Sequence, residues 1–231
     1  MNDGFRGVLP GYLAGVNKED SRKQALIVDV DGTLVDSNYQ HVIAWQRALR
    51  EHGVEAEAWK IHRYIGKGGD KMVVSVAGED VEDRDGDAIR STEAEMFQEL
   101  IGEVKPLPGA ARFIRSMKES GRTVVISSSA KQEEVEHYLE LLDIRESIDE
   151  STTSADADET KPEPDLVRIG LEKAGTRNSL MIGDSIWDVE AAKRSGIECY
   201  AVLTGGFSKA ELLAAGASGV RPSLADLELP S

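Results

Sequence analysis

At 231 residues with 40% hydrophobic content, the chain is long enough to bury one α/β core carrying a smaller insert. A formal net charge of -15 and an isoelectric point near 4.7 oppose nucleic acid and anionic membrane as partners. A small phosphorylated metabolite remains open if a metal and a lysine neutralise its pocket. The single cysteine, Cys199, excludes an intrachain disulfide, and its strand-like setting suits a small buried core side chain.

Residues 1–22 are rich in Gly and Asn and read as a loosely ordered arm. They lack the apolar core and cleavage pattern of a signal peptide. No stretch of the chain reaches the length of a membrane span, so a cytoplasmic protein is expected. Residues 25–30 form a short apolar run of the buried parallel-strand type, which ends in Asp29-Val30-Asp31-Gly32-Thr33. Carboxylates at the carboxyl end of such a strand are costly to bury unpaired, and a divalent cation is the obvious partner. In open α/β sheets this end is also where ligands bind.

Residues 37–105 contain no convincing strand. His41, Trp45, Ala48 and Leu49 mark one amphipathic helix, and residues 89–100 another. The acidic stretch 79–87 reads as a solvated helix entry, since an EF-hand would need acids where Val81 and Thr92 stand. Pro106-Leu107-Pro108-Gly109 closes the segment as a stiff connector. The expectation is a helical cap over 37–105, hinged at 35–37 and 105–108.

Three more strand-like runs follow at 123–127, 179–183 and 197–203, separated by helical patterns at 109–120, 133–142 and 164–174. This alternation predicts an α/β fold, a doubly wound parallel sheet built from residues 23–36 and 106–231.

Asp29 is a carboxylate able to attack phosphorus. Asp31, two residues on, shares its side of an extended chain, and the turn at Gly32 brings it over the reacting centre as an acid/base. The plainer alternative is a strand-ending turn with solvated acids. In Gly183-Asp184-Ser185-Ile186-Trp187-Asp188, a second strand ends in acid, and Asp184 beside Asp29 would make a hard oxygen site of the kind magnesium prefers. Asp188 also fits an acid favoured by a helix N-terminus, and Trp187 reads as packing. Ser127 could donate to a phosphoryl oxygen, although an N-cap by Ser128 or Ser129 is the commoner role for such a run. Lys161, in a loop stiffened by Pro162 and Pro164, could neutralise charge on Asp29 and a phosphoryl group.

The order Asp-x-Asp-Gly-Thr, strand-end serine, loop lysine before proline, and Gly-Asp-x-x-x-Asp resembles the haloacid dehalogenase superfamily of phosphotransferases, in particular members with a helical cap after the first strand. The resemblance covers about 25–203. It implies Asp29 as nucleophile and metal contact, Asp31 as acid/base and carbonyl metal ligand, and Asp184 and Asp188 as direct and outer ligands of Mg2+. Gly32, Ser127, Ser128 and Lys161 would hold phosphate. His41 and Arg63 fall where cap residues face the active site in phosphoglycolate phosphatase-like and β-phosphoglucomutase-like relatives. Lys67, in the loop 61–71, is a third specificity candidate. Gly68-Gly69 departs from the mutase pattern, which has an arginine there. The expected function is magnesium-dependent hydrolysis of a phosphomonoester, phosphoglycolate or a sugar phosphate, by a monomer or homodimer. A phosphomutase is one alternative, and a non-catalytic phospho-acceptor or interaction protein another.

Overall fold

A computed structural model describes residues 24–156 and 161–229; the expected arm at 1–22 lies outside them. Strand β1 (Ala25–Val28) is wholly buried, because it pairs in parallel with a strand on each side. Its neighbours are β4 (Val124–Ser127) and β6 (Ser179–Gly183), with Leu26 opposite both Val124 and Leu180. Beyond β6 lie β7 (Glu198–Val202) and β8 (Gly219–Arg221); beyond β4 lies β5 (Glu150–Thr152). All pairings in this six-stranded sheet are parallel, in the order β5-β4-β1-β6-β7-β8.

The two-residue period of the strands splits the core between the faces. Leu26, Val28, Ile126 and Ile182 meet α5 (Ala110–Glu119) and α6 (Gln132–Leu142) through Phe113, Ile114, Tyr138 and Leu139. Ile27, Val125, Met181 and Cys199 meet the other three helices through Val167, Val189 and Leu212. Those are α7 (Asp165–Ala174), α8 (Ile186–Ser195) and α9 (Lys209–Ala215). Helices on both faces of a parallel sheet are the predicted fold class. The expected strands 123–127, 179–183 and 197–203 sit within a residue or two of β4, β6 and β7. Edge strands β5 and β8 escape the sequence reading because each is only three residues long, β5 being wholly polar and β8 holding a single apolar side chain, Val220.

Between β1 and α5 the chain makes one long helical excursion. It comprises α1 (Asn38–Glu51), α2 (Ala58–Tyr64), α3 (Gly69–Ala77) and α4 (Glu79–Leu100). These helices enclose their own apolar cluster, with Val42, Trp45, Leu49, Ile61, Met72, Val73 and Ile89. Helix α4 starts ten residues before the expected 89, at the acidic stretch itself (89 − 79 = 10). Glu79, Asp80 and Glu82 occupy its first turn, where the helix dipole favours acids, and Arg90 pairs with Glu82 at 2.8 Å. The excursion begins and ends on a two-stranded antiparallel ribbon. There β2 (Val35–Asp36) pairs with β3 (Lys105–Pro106), Val35 opposite Pro106 and Asp36 opposite Lys105.

Candidate active site

The carboxyl ends of β1, β4 and β6 lie side by side, so Asp29, Ser127 and Asp184 converge from distant sequence positions. The Asp29 amide donates to the Ile182 carbonyl at 3.0 Å, which locks β1's tip to β6. Carboxylate oxygens of Asp29, Asp184 and Asp188 lie within 4.8 Å of one another, and all three residues are buried. Thr33 Oγ1 stands 3.1 Å from Asp29 Oδ2 and 3.0 Å from Asp184 Oδ1. Asn38 Nδ2 donates to Asp184 Oδ2 at 3.2 Å. Gly32, at φ +74, closes the turn after Asp31, and a Cβ there would collide with the Asp184 carboxylate. A Cβ on Gly205 would collide with the same group, so two glycines leave it a cradle.

Asp188 does two jobs. Its Oδ2 accepts from the Ser185 amide at 3.1 Å and hydroxyl at 2.6 Å, completing a capping box at the start of α8. Its Oδ1 lies 2.8 Å from Lys161 Nζ. Lys161 is 1% exposed, also donates to Asp29 Oδ1, and reaches the Ser127 carbonyl at 3.3 Å. Burial pushes the Asp29 carboxyl up to about 7, and the charges of Asp188 and Asp31 add to this against the pull of Lys161. Burial, then the neighbouring Asp188 and Asp29 charges, hold Asp184 well above the carboxylate range. The opposing Asp188 and Asp29 charges outweigh burial at Lys161 and raise it. Three crowded carboxylates share one ammonium, and the raised proton affinities of Asp29 and Asp184 mark a site short of positive charge. The donors are all hard oxygens, so the residues fit a magnesium-sized cation.

Ser127 Oγ is buried with no hydrogen-bond partner among the described residues. The expected N-cap at Ser128 or Ser129 is not formed: α6 begins at Gln132, three residues later, and Lys131 holds the cap position. Ser128 Oγ instead accepts from the Ala130 amide at 3.0 Å, making a tight turn ahead of the helix. The Ser128 amide is committed to the Thr152 carbonyl at 3.1 Å, and the Gly32 amide to the Val35 carbonyl at 2.8 Å, so neither N–H is open to an anion.

A cavity of about 210 Å³ opens beside these tips and reaches into the helical excursion. Its walls include Asp29, Asp31 and Ser129 from the sheet side and His41, Trp45, Lys67 and Glu93 from the helices. Asp31 Oδ1 accepts from Ser37 Oγ at 2.5 Å and lies 3.5 Å from His41 Nε2. His41 Nδ1 is 3.1 Å from Glu93 Oε1, and its ring lies flat on Phe97 with centroids 3.7 Å apart. Burial alone would lower the imidazole's pKa, but hydrogen bonds and charges from Asp31 and Glu93 push it up to about 10. Burial likewise opposes ionisation of Asp31, yet His41 and Ser37 hold its pKa below the usual value.

This arrangement sets a pH dependence. A histidine raised from 6.5 to about 10 contributes stability that is complete below pH 6.5 and is lost as pH rises through 10. His41→Gln is therefore expected to flatten the alkaline limb of a melting-temperature profile between pH 7 and 10. A variant profile that runs parallel to wild type would refute the ion-paired imidazole.

Lys67 lines the cavity, with Nζ 4.3 Å from the Trp187 ring centroid and 3.2 Å from Ser75 Oγ. Trp187 packs against Tyr64, as expected. Arg63, the remaining specificity candidate, is not among the residues that line this cavity. Its Nη2 pairs with Glu211 of α9 at 2.6 Å, and its guanidinium lies 4.3 Å over Phe207, because α2 docks on the sheet domain's last helix. Thr33, Asn38, Glu93 and Glu134 at the site went unread in the sequence. Only Thr33 and Asn38 carry a local signal, since both flank the Asp31 turn.

The model of the family described as haloacid dehalogenase-like hydrolase matches residues 26–202. A phosphoglycolate phosphatase of Aquifex aeolicus is 27% identical over 191 residues, covering 79% of this chain and 85% of that protein. A phosphorylated carbohydrates phosphatase of Thermotoga maritima is 26% identical over 202 residues, covering 84% and 92%. Among solved structures, a hydrolase from Pseudomonas syringae superposes with a TM-score of 0.83 at 32% identity, covering 88% of this chain and 95% of that one.

Proposed function

Because this chain belongs to the haloacid dehalogenase-like hydrolases, we propose that it is a magnesium-dependent phosphatase acting on a small phosphomonoester through an aspartyl phosphate on Asp29. The observation that carries this reading is the meeting of Asp29, Asp184 and Asp188 around buried Lys161, with Asp31 at the same cavity. An Asp29 oxygen attacks phosphorus, and the ester oxygen leaves with its bonding pair. Asp31 gives that oxygen a proton, since an alkoxide leaves poorly without one. Water then attacks the aspartyl phosphate, Asp31 takes its proton back, and inorganic phosphate and free Asp29 result. Asp31 rests ionised, held so by His41 and Ser37. An arriving phosphate dianion raises its proton affinity and so loads the acid.

Asp29, Asp184 and the Asp31 carbonyl would hold Mg2+, with Asp188 behind them; the bound cation supplies charge neutralisation for the phosphoryl oxygens. Lys161 and the free Ser127 hydroxyl complete the phosphate clamp. Helices α1–α4 act as a cap over the reaction. Their separate apolar cluster, the ribbon at their base and a cavity lined from both sides support that division.

A phosphate-release screen over phosphometabolites, with and without magnesium, tests the proposal; no release from any compound overturns it. Asp31→Asn is expected to slow turnover at least hundredfold, since both the departure of the ester oxygen and the attack of water lose their proton-transfer group. Turnover within a few-fold of wild type would remove Asp31 from the mechanism.

A further inference from the structure

One buried acid in the cavity has no use in that mechanism. Glu134, on the first turn of α6, is 5% exposed and lines the same cavity as Asp29 and Asp31. Its amide donates to the Lys131 carbonyl at 3.1 Å, but its carboxylate makes no hydrogen bond or ion pair to any described residue. Its neighbour Glu133 is exposed and already serves the helix terminus from solvent, so the dipole does not explain why Glu134 is buried. A buried carboxylate without a partner is costly to keep.

The cavity's other charged groups are committed. Glu93 bonds His41 at 3.1 Å. Arg90 is held by Glu82 at 2.8 Å and Asp87 at 2.7 Å. Lys67 lies over two aromatic rings. Lys131 is exposed at the rim. Among these groups Glu134 is therefore the buried acid whose carboxylate has neither oxygen bonded to a described residue.

Resting on the phosphatase reading, we propose that Glu134 reads the non-reacting part of the substrate, and that this part presents hydrogen-bond donors, hydroxyl or ammonium, instead of a second carboxylate. A substrate carboxylate would bring only acceptors to Glu134, Glu93 and Asp31 in a confined space of about 210 Å³, whose cations His41 and Arg90 are already engaged by acids of this chain. A hydroxyl or ammonium gives Glu134 the partner it lacks, and an acceptor built to be paired discriminates strongly against a ligand that leaves it unpaired. Burial pushes this carboxyl up to about 7 even against the pull of His41, in keeping with a group awaiting a partner.

The test compares kcat/KM for three small phosphomonoesters: glycerol phosphate, phosphoethanolamine and phosphoglycolate. The wild type is expected to prefer a hydroxyl- or amino-bearing compound to phosphoglycolate by at least tenfold. Glu134→Leu should collapse that ratio at least tenfold, whereas general damage would lower all three rates together. Glu134→Gln keeps an acceptor and removes the charge, so it should spare preference for a hydroxyl and lose preference for an ammonium. Equal or better use of phosphoglycolate by wild type, or an unchanged ratio in Glu134→Leu, overturns the inference. If none of the three is hydrolysed, the phosphatase reading takes the loss. Calorimetric binding of the same compounds to Asp29→Asn, with and without Glu134→Leu, then still decides the role of Glu134. Thermal melts of each variant show that it folds.

Discussion

Asp29→Asn is expected to abolish phosphate release, by at least ten-thousandfold, and at the same time to raise the melting temperature. The amide cannot form the aspartyl phosphate, so the loss of rate follows from removing the nucleophile. The gain in stability follows from the carboxyl's pKa. A folded value near 7 against an ordinary 3.8 means that the unfolded chain releases this proton more readily. Stability therefore falls as pH rises from 3.8 to 7, by a few kcal/mol in order of magnitude. Asparagine is neutral throughout and escapes that loss, less what Lys161 forfeits when one partner goes. Melting curves at pH 8 in a chelator read the effect, because a bound cation would otherwise restore the ionised carboxylate. A variant that melts below wild type there, or that retains measurable turnover, would contradict the buried nucleophile.

Lys161→Met is expected to produce the largest loss of stability of any single change at the site, about 3–5 kcal/mol in urea unfolding. The ammonium lies between Asp29 and Asp188 with almost no solvent contact, and its removal leaves carboxylates facing one another without a counter-charge. Activity should fall at least hundredfold as the phosphoryl clamp loses its cation. The double variant Lys161→Met with Asp29→Asn should regain part of the lost stability, since one of the stranded charges is gone, and additivity between the two would show that they do not interact. A single-variant shift below about 1 kcal/mol would show that the ion pairs are not formed as described.

The chemistry of the strand tips was legible because each motif sits where an apolar run stops. Asp29, Ser127 and Asp184 are marked by the β-branched or aliphatic residues before them, and a parallel sheet leaves those ends side by side. Lys161 has no such marker; only its place in the ordered set of motifs singles it out. Edge strands β5 and β8 were invisible, since three residues with at most one apolar side chain show no period. The cavity wall away from the strand tips was harder still. Glu93 lies on α4 and Glu134 on α6, and tertiary packing alone brings them to the cavity that holds Asp31. Arg63 was singled out by resemblance to cap-bearing relatives alone, and its pairing with Glu211 of α9 depends on how α2 docks, which no local pattern shows.

The ribbon of Val35–Asp36 against Lys105–Pro106 fixes where the helical excursion leaves the sheet and where it returns. Paired rungs of an antiparallel ribbon hold these two points about 5 Å apart, whatever lies between them. A different bundle spliced across the same two rungs would leave Asp29, Ser127, Lys161 and Asp184 on their own strands and loops, but it would have to replace Asn38, which donates to Asp184, and His41, which faces Asp31. The first turns of that bundle are thus tied to the acids at the strand tips, and any exchange of the helices would carry those two contacts with it.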